Sequence, residues 1–357
     1  MLSYKIRQLA VLSLTLTVIA AGCSSNNTAS NAGNAAPTSA GSTERAAAGT
    51  AVKADKLDIK VSFYPMYEFT RNIVGDLADV ETLIPAGVEP HDWEPTAQDM
   101  AGISAADVLV FNGAGMEGWA QQVISSASGT PLVAVEASKG LNLMAGTEEE
   151  EEDHAGAEDD HAHKEGEHAD EGDEHAEEGH DHGGLDPHVW LAPSLAIKEV
   201  QTIEAALSVA SPENASAFKA NSAAYIAKLE QLDKEFKDSL KDTKRKDFIT
   251  QHAAFGYLAQ EYGLTQIPIA GLSPEQEPSA SQMAGIVEFA KAHDVKTIFF
   301  ETLVSSSVAD TVAREIGAKT AVLNPIEGLT DEDRSSNQDY LSIMRKNLEA
   351  LKTALNE

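Results

Sequence analysis

The sequence predicts an α/β fold of two βα lobes with mostly parallel sheets, joined by a long rigid helix. Two observations lead there. Short apolar, strand-like runs alternate with helix-like segments in two separate series along the 357 residues, the pattern of parallel βα units. Between the series lies one helix-period stretch of roughly 30 residues, about 45 Å if continuous. The first series opens with Leu-Asp-Ile-Lys-Val-Ser-Phe from Leu57, which alternates as a half-buried strand does. A helix is predicted over Met66 to Gly75 and strands over Val80 to Ile84, Val108 to Phe111 and Leu132 to Val135, with a helix from Thr96 to Ala106 between them. Ser194 to Ala210 reads as a further helix. The long helix then starts at Ser211-Pro212-Glu213-Asn214, with Ser211 as N-cap and Pro212 in the first turn. Its apolar positions, Phe218, Tyr225, Leu229, Leu232, Phe236 and Leu240, recur at three, four and seven. In the second series, strands are predicted over Asp247 to Gln251, Gln266 to Ile269, Thr297 to Phe300 and Thr320 to Leu323. Helices are predicted over Phe255 to Tyr262, Ser281 to Ala292, Ser306 to Ile316 and Gln338 to Leu355.

The ends of the chain carry a different chemistry. Lys5 and Arg7 precede an apolar run from Leu9 to Ala21 and then Gly22-Cys23. That is the charged start, short apolar run and small-residue exit of an export signal. The run is shorter than the roughly 20 residues a membrane span needs. Cys23, the only cysteine, has no partner for an intramolecular disulfide and stands where a bacterial lipobox places its lipidated residue. Residues 1–23 are read as a lipoprotein signal with its lipobox cysteine, and 24–55, rich in Ala, Ser, Asn, Thr and Gly, as a flexible tether. Two or more acyl chains would hold Cys23 on a bilayer, where one alone is marginal. The lobes are placed at 56–210 and 243–357, with the connecting helix at 211–242.

Charge is concentrated in one place. From Glu148 to His182 there are 18 Asp and Glu against one Lys, a net −17 of the chain's −31. Such a run has no apolar face to bury and is expected to be a disordered loop inside the first lobe. The remaining 39 acidic and 25 basic residues are only moderately acidic. No basic patch or nucleic-acid motif appears, so nucleic acid is excluded as a partner. Seven of the 11 histidines, His154, His161, His163, His168, His175, His180 and His182, lie in this tract. Flexible imidazoles and carboxylates would gather divalent metal weakly; the bland alternative is a solvating spacer.

Three other histidines stand in contexts that look ordered. His91 lies in Gly-Val-Glu-Pro-His-Asp-Trp-Glu-Pro after a strand, His188 in Leu-Asp-Pro-His-Val-Trp-Leu, and His252 in His-Ala-Ala-Phe-Gly-Tyr directly after a strand. Glu327, in Asn-Pro-Ile-Glu-Gly, also follows a strand. Open α/β sheets bind ligands at the carboxyl ends of their strands, so these residues fall where a site is expected, in the cleft between the lobes. Three imidazoles and a carboxylate would suit zinc, and more oxygen would favour manganese. Glu301, after the strand Thr297 to Phe300, competes with Glu327 for the carboxylate role, and Asp186 could orient a ligand histidine. Trp93, Trp119 and Trp190 could line the cleft, although core packing is their commoner use.

These motifs, in this order, resemble the metal-binding solute-binding lipoproteins of ABC transporters, in particular the zinc-uptake members with a His-rich loop. The resemblance runs from Leu57 to Asn356. It implies that His91, His188 and His252 are metal ligands, with Glu327 at the fourth-ligand position of the zinc-binding relatives. Manganese-selective relatives typically carry a carboxylate where His252 stands. It implies an extracytoplasmic, lipid-anchored monomer that captures Zn2+, with Mn2+ less favoured, and hands it to an ABC permease in the membrane. No further C-terminal zinc-binding domain is expected after Glu357. Three alternatives are a broader divalent-metal receptor, a surface metal buffer or adhesin, and a zinc hydrolase. Against the last, no His-Glu-x-x-His run is present and no general base accompanies the ordered histidines.

Overall fold

The computed structural model describes residues 56–146 and 184–357. The signal, Cys23, the tether and the seven tract histidines lie outside the described residues. The first series forms β1 (Leu57–Val61), α1 (Tyr64–Val74), β2 (Ala78–Thr82), α2 (Ala97–Ala105), β3 (Val108–Phe111), α3 (Ala120–Ser126) and β4 (Val133–Glu136). A short 3-10 turn, Val189–Leu191, leads into α4 (Pro193–Ala210) and α5 (Ala215–Leu240). The second series comprises β5 (Asp247–Thr250), α6 (Gly256–Glu261), β6 (Thr265–Pro268), α7 (Ala280–Ala292), β7 (Thr297–Phe300), α8 (Ser307–Ile316), β8 (Lys319–Val322), α9 (Asp331–Ser335) and α10 (Tyr340–Ala354).

The strands make two four-stranded parallel sheets of the same topology, β2-β1-β3-β4 and β6-β5-β7-β8. Each order reverses direction, between β1 and β3 in one sheet and between β5 and β7 in the other. Such a reversal opens a crevice at the carboxyl ends of the strands. The two-lobed α/β architecture expected from the sequence is therefore present. β3 is buried at all four positions, which explains its unbroken Val-Leu-Val-Phe run.

The linking helix starts later than its sequence suggests. Ser211 does not cap it: the Ser211 hydroxyl bonds the Glu213 carboxylate at 2.6 Å, and residues 212–214 form a turn before the first helical residue, Ala215. At 26 residues α5 is about 39 Å long. It buries Phe218, Tyr225, Leu229, Leu232, Phe236 and Leu240, the stripe read from the sequence, together with Ser222. Burying each large apolar side chain is worth about 1.5–3 kcal/mol. The helix packs on α1, α4 and α10, so it touches helices from both series. One continuous cluster of buried side chains accordingly runs from Ile59 and Val61 through α4 and α5 to Phe248, Phe299 and Tyr340. Smaller clusters lie on the outer faces, around Ile249 and Ile298 in the second sheet and around Leu109 and Trp119 in the first. Among the described residues, no helix is long and apolar enough to cross a membrane.

Candidate metal site

Four side chains from four separate loops meet where the carboxyl ends of the two sheets face one another. His91 comes from the stretch between β2 and α2. The Glu89 carboxylate accepts the His91 backbone N–H at 3.0 Å, and Trp93 packs edge-on against Trp119 with ring centres 5.6 Å apart. The far end of this stretch is fixed by a capping box, in which the Asp99 carboxylate accepts the Thr96 N–H at 2.8 Å and the Thr96 hydroxyl accepts that of Asp99. Burial, reinforced by the Glu327 charge, pushes the Glu89 carboxyl up to about 7.

His188 sits in the turn that opens α4. Asp186 Oδ1 accepts both its backbone N–H, at 2.9 Å, and its ring Nδ1–H, at 2.8 Å. That bond keeps a proton on Nδ1 and directs Nε2 at the site, so Nε2 is the nitrogen that must be bare for a metal to bind. The turn is braced on three sides. Asn112 Nδ2 donates to Pro187 O at 3.0 Å, Trp190 Nε1 donates to Pro325 O at 2.8 Å, and the Tyr340 hydroxyl donates to Trp190 O at 2.5 Å.

His252 follows β5 and repeats the arrangement. Glu301, at the end of neighbouring β7, accepts its backbone N–H at 3.2 Å and its ring Nδ1–H in a closer bond. The Thr250 hydroxyl and Gln266 Nε2 hold its carbonyl at 2.7 and 2.9 Å. Glu327 is delivered by the loop after β8. There Asn347 clamps both the N–H and the carbonyl of Asn324, at 2.9 and 2.7 Å. Asn324 Oδ1 in turn accepts the Ile326 N–H at 2.7 Å and so supports the left-handed backbone of Ile326 at φ 59°.

Five of the six donor separations are nearly equal. Glu327 Oε1 lies 3.3 Å from His91 Nε2 and 3.4 Å from the Nε2 atoms of His188 and His252. The His91–His188 and His188–His252 Nε2 separations are both 3.3 Å. All four donors lie within 4.8 Å of one another. A tetrahedral ion with bonds of about 2.0–2.1 Å separates its ligands by about 3.3–3.4 Å. Five of the six separations therefore already match those of a four-coordinate metal site. Glu301 lies on the far side of the His252 ring and Asp186 on the far side of the His188 ring, each bonded to Nδ1.

The side chains of His188, His252 and Glu327 are at most 1% exposed, whereas His91 is 9% exposed. A cavity of about 420 Å³, lined by Leu185, Pro187, Ile269, Leu272 and Gln276 among others, opens against His91. The electrostatics follow from burial and pairing. Burial lowers the His91 pKa below its usual value, only partly offset by Glu327. Burial also works against charge on His188, but its bonds to Asp186 and Glu327 prevail and raise its pKa. At His252 burial is again outweighed, here by the charge and hydrogen bond of Glu301 and then by Glu327, which push the pKa up to about 10. Glu327 is held well below the usual carboxylate range: its bonds to the three histidines overcome the effect of burial.

Glu89, Asn112, Asn324, Asn347 and Tyr340 support the site and were not singled out by the sequence. Asn112, Asn347 and Tyr340 act on backbone groups far along the chain, for which a single sequence has no spacing signal, while Glu89 and Asn324 accept N–H groups two residues on. Trp119 and Trp190 are buried core residues, and Trp93 is partly buried against them and the main core.

Comparison with known proteins extends the picture. The high-affinity zinc uptake system protein ZnuA of Bacillus subtilis (strain 168) is 50% identical over 303 residues, 85% of this chain and 89% of that protein. The zinc-binding lipoprotein AdcA of Streptococcus pneumoniae (strain ATCC BAA-255 / R6) is 43% identical over 297 residues, 83% of this chain and 55% of that protein. The crystal structure of the Zn(II)-bound ZnuA-like domain of Streptococcus pneumoniae AdcA is similar with a TM-score of 0.68 and 40% identity, covering 85% of this chain and 100% of that one. The family described as zinc-uptake complex component A, periplasmic, matches residues 59–354, and this chain belongs to that family.

Proposed function

We propose that this chain is an extracytoplasmic zinc receptor that binds Zn2+ through His91, His188, His252 and Glu327 and delivers it to an ABC permease for import. The observation that carries the reading is that five of the six donor separations are 3.3–3.4 Å, the edge length of a tetrahedral zinc site. Three nitrogens and one oxygen favour zinc over manganese, which prefers more oxygen. In two of the imidazoles a carboxylate holds Nδ1, so Nε2 is the nitrogen that gives up its proton to take the metal. Four protein donors fill a tetrahedron and leave no position for the water that catalytic zinc requires, so the site suits capture rather than hydrolysis. Lipidation at Cys23 would keep the receptor beside the permease, and the seven tract histidines, from His154 to His182, would collect zinc weakly near it.

The test is a chelator-competition zinc titration of the mature protein, with and without residues 148–182. One tight site should survive the deletion. His91→Ala, His188→Ala, His252→Ala and Glu327→Ala should each weaken that site by at least 100-fold. Loss of all tight binding on deletion would move the function to the tract and overturn the four-ligand site.

A further inference from the structure

One hydroxyl outside the ligand set joins three segments that converge on the site. Tyr257, in the first turn of α6, is 3% exposed. Its Oη donates to Asp186 O at 2.8 Å and accepts the Met144 N–H at 2.8 Å. Met144 and Asp186 are themselves paired, the Asp186 N–H donating to Met144 O at 3.0 Å. Beyond them Ala145 bridges Leu185 antiparallel, and the Gly146 N–H donates to Gly184 O at 2.6 Å. Residues 144–146 and 184–186 thus form a short two-stranded stem whose inner end is closed by Tyr257.

The preceding residue touches the same aspartate from another side. A β-carbon at Gly256 would stand 2.8 Å from Asp186 Oδ2 and 3.6 Å from Met144 Cε. The other oxygen of that carboxylate, Oδ1, holds His188 by its backbone and ring nitrogens. The start of α6 therefore fixes the Asp186 carbonyl through a hydrogen bond and its carboxylate through close packing. α6 in turn begins four residues after His252. Val189, Ala192 and Tyr257 form a small buried cluster, with the half-buried Leu141, Leu143 and Met144 packed against it.

We propose that Tyr257 and Gly256 are positioning residues for zinc binding: they place Asp186, and through it the His188 ring, in register with the strand that carries His252. This rests on the reading of the four-residue group as the zinc site. Without the Tyr257 hydroxyl, the Asp186 carbonyl loses a donor and the Met144 N–H an acceptor. The stem and the aspartate are then free to shift by the few tenths of an ångström that separate a tetrahedral donor set from a distorted one.

The experiment uses the mature protein loaded with Co2+ or Zn2+. Tyr257→Phe is expected to change the position or intensity of the cobalt d–d bands and to speed zinc release to a competing chelator by about tenfold. Gly256→Ala keeps every hydrogen bond, its backbone is outside the left-handed region, and alanine favours a helix. Only the steric conflict with Asp186 is added, so the same changes are expected, and this variant carries the test should Tyr257→Phe fail to fold. Tyr262→Phe, which removes a bond to Asp233 of 3.1 Å on α5, serves as control: its melting temperature should move and its cobalt spectrum should not. Unchanged cobalt spectra and zinc release in the Tyr257 and Gly256 variants, with lowered melting temperatures, would show a merely structural role and overturn the proposal. Failure of the unaltered protein to bind either metal would instead overturn the zinc-site reading.

Discussion

Zinc binding should release protons, and Glu301 should set how many. In the metal-free protein His252, pushed up to about 10, carries a proton at neutral pH, yet its Nε2 must be bare to bind a metal. Removing that proton at pH 7, three units below the pKa, costs on the order of 4 kcal/mol, or roughly a thousandfold in affinity. Zinc affinity should therefore rise about tenfold per pH unit between pH 6.5 and 8.5, with His188, whose pKa is also raised, steepening the dependence. His91, whose pKa is lowered by burial, should add nothing. For the fold itself the sign is opposite. Because the folded pKa of His252 lies above its usual 6.5, the stabilisation is fully present below about pH 6.5 and is lost as pH climbs through about 10. Glu301→Gln removes the largest of the pKa-raising interactions while leaving an amide oxygen to accept the Nδ1–H and backbone N–H. Calorimetry at pH 7.5 in buffers of different ionisation enthalpy counts the protons. At least one per zinc is expected from the unaltered protein and clearly fewer from Glu301→Gln. No release from the unaltered protein, or the same count from both, would refute this account of the pair.

Two further outcomes follow from buried polar groups. Glu199 on α4 is fully buried with neither oxygen bonded, and burial, with the nearby Glu117 charge, raises its pKa well above the usual carboxylate value. The folded state then binds more protons than the unfolded one above about pH 4.3, so stability falls as pH rises; Glu199→Gln should gain on the unaltered protein by up to about 1.4 kcal/mol per pH unit in urea titrations from pH 5 to 8, and parallel pH curves would show the group carries no such penalty. Trp190→Phe strips the donor from Pro325 O and leaves space beside Phe63, whose ring centre is 5.0 Å from that of Trp190. It should destabilise the metal-free protein by about 2–4 kcal/mol in equilibrium unfolding, and a loss under 1 kcal/mol would deny that bond its role in holding the Glu327 loop.

The parts of the fold legible in the sequence were those with a clear apolar run or helical period. β3 and β7 lie at the predicted residues, because central strands of a parallel sheet are mostly apolar, Val-Leu-Val-Phe in one and Thr-Ile-Phe-Phe in the other. β2 lies two residues earlier than its apolar run suggests: pairing of Leu57–Val61 with Ala78–Thr82 sets its register, and Leu83 and Ile84 follow the strand while still donating to Val61 O and Ser62 O. α3 and α9, seven and five residues long, are too short to show a helical period. In α9 the Thr330–Asp333 capping box was the readable signal. The three ordered histidines were found from motif and strand-end position, but those cues could not separate Glu301 from Glu327, since both follow strands of the same sheet. Their separation is tertiary. Glu301 lies beside the β5 end and reaches the back of the His252 ring, while the Asn324–Ile326 turn swings Glu327 round to the front.

The continuous core beneath both sheets limits how the molecule can signal its state. Swinging the halves apart on a hinge would expose Tyr340, Phe236 and their neighbours to water at about 25 cal/mol for each Å² uncovered. Free and loaded forms should thus share nearly the same overall shape and scatter X-rays alike. A membrane partner would have to recognise cargo from the rim around His91, where the site meets solvent, rather than from the angle between the halves.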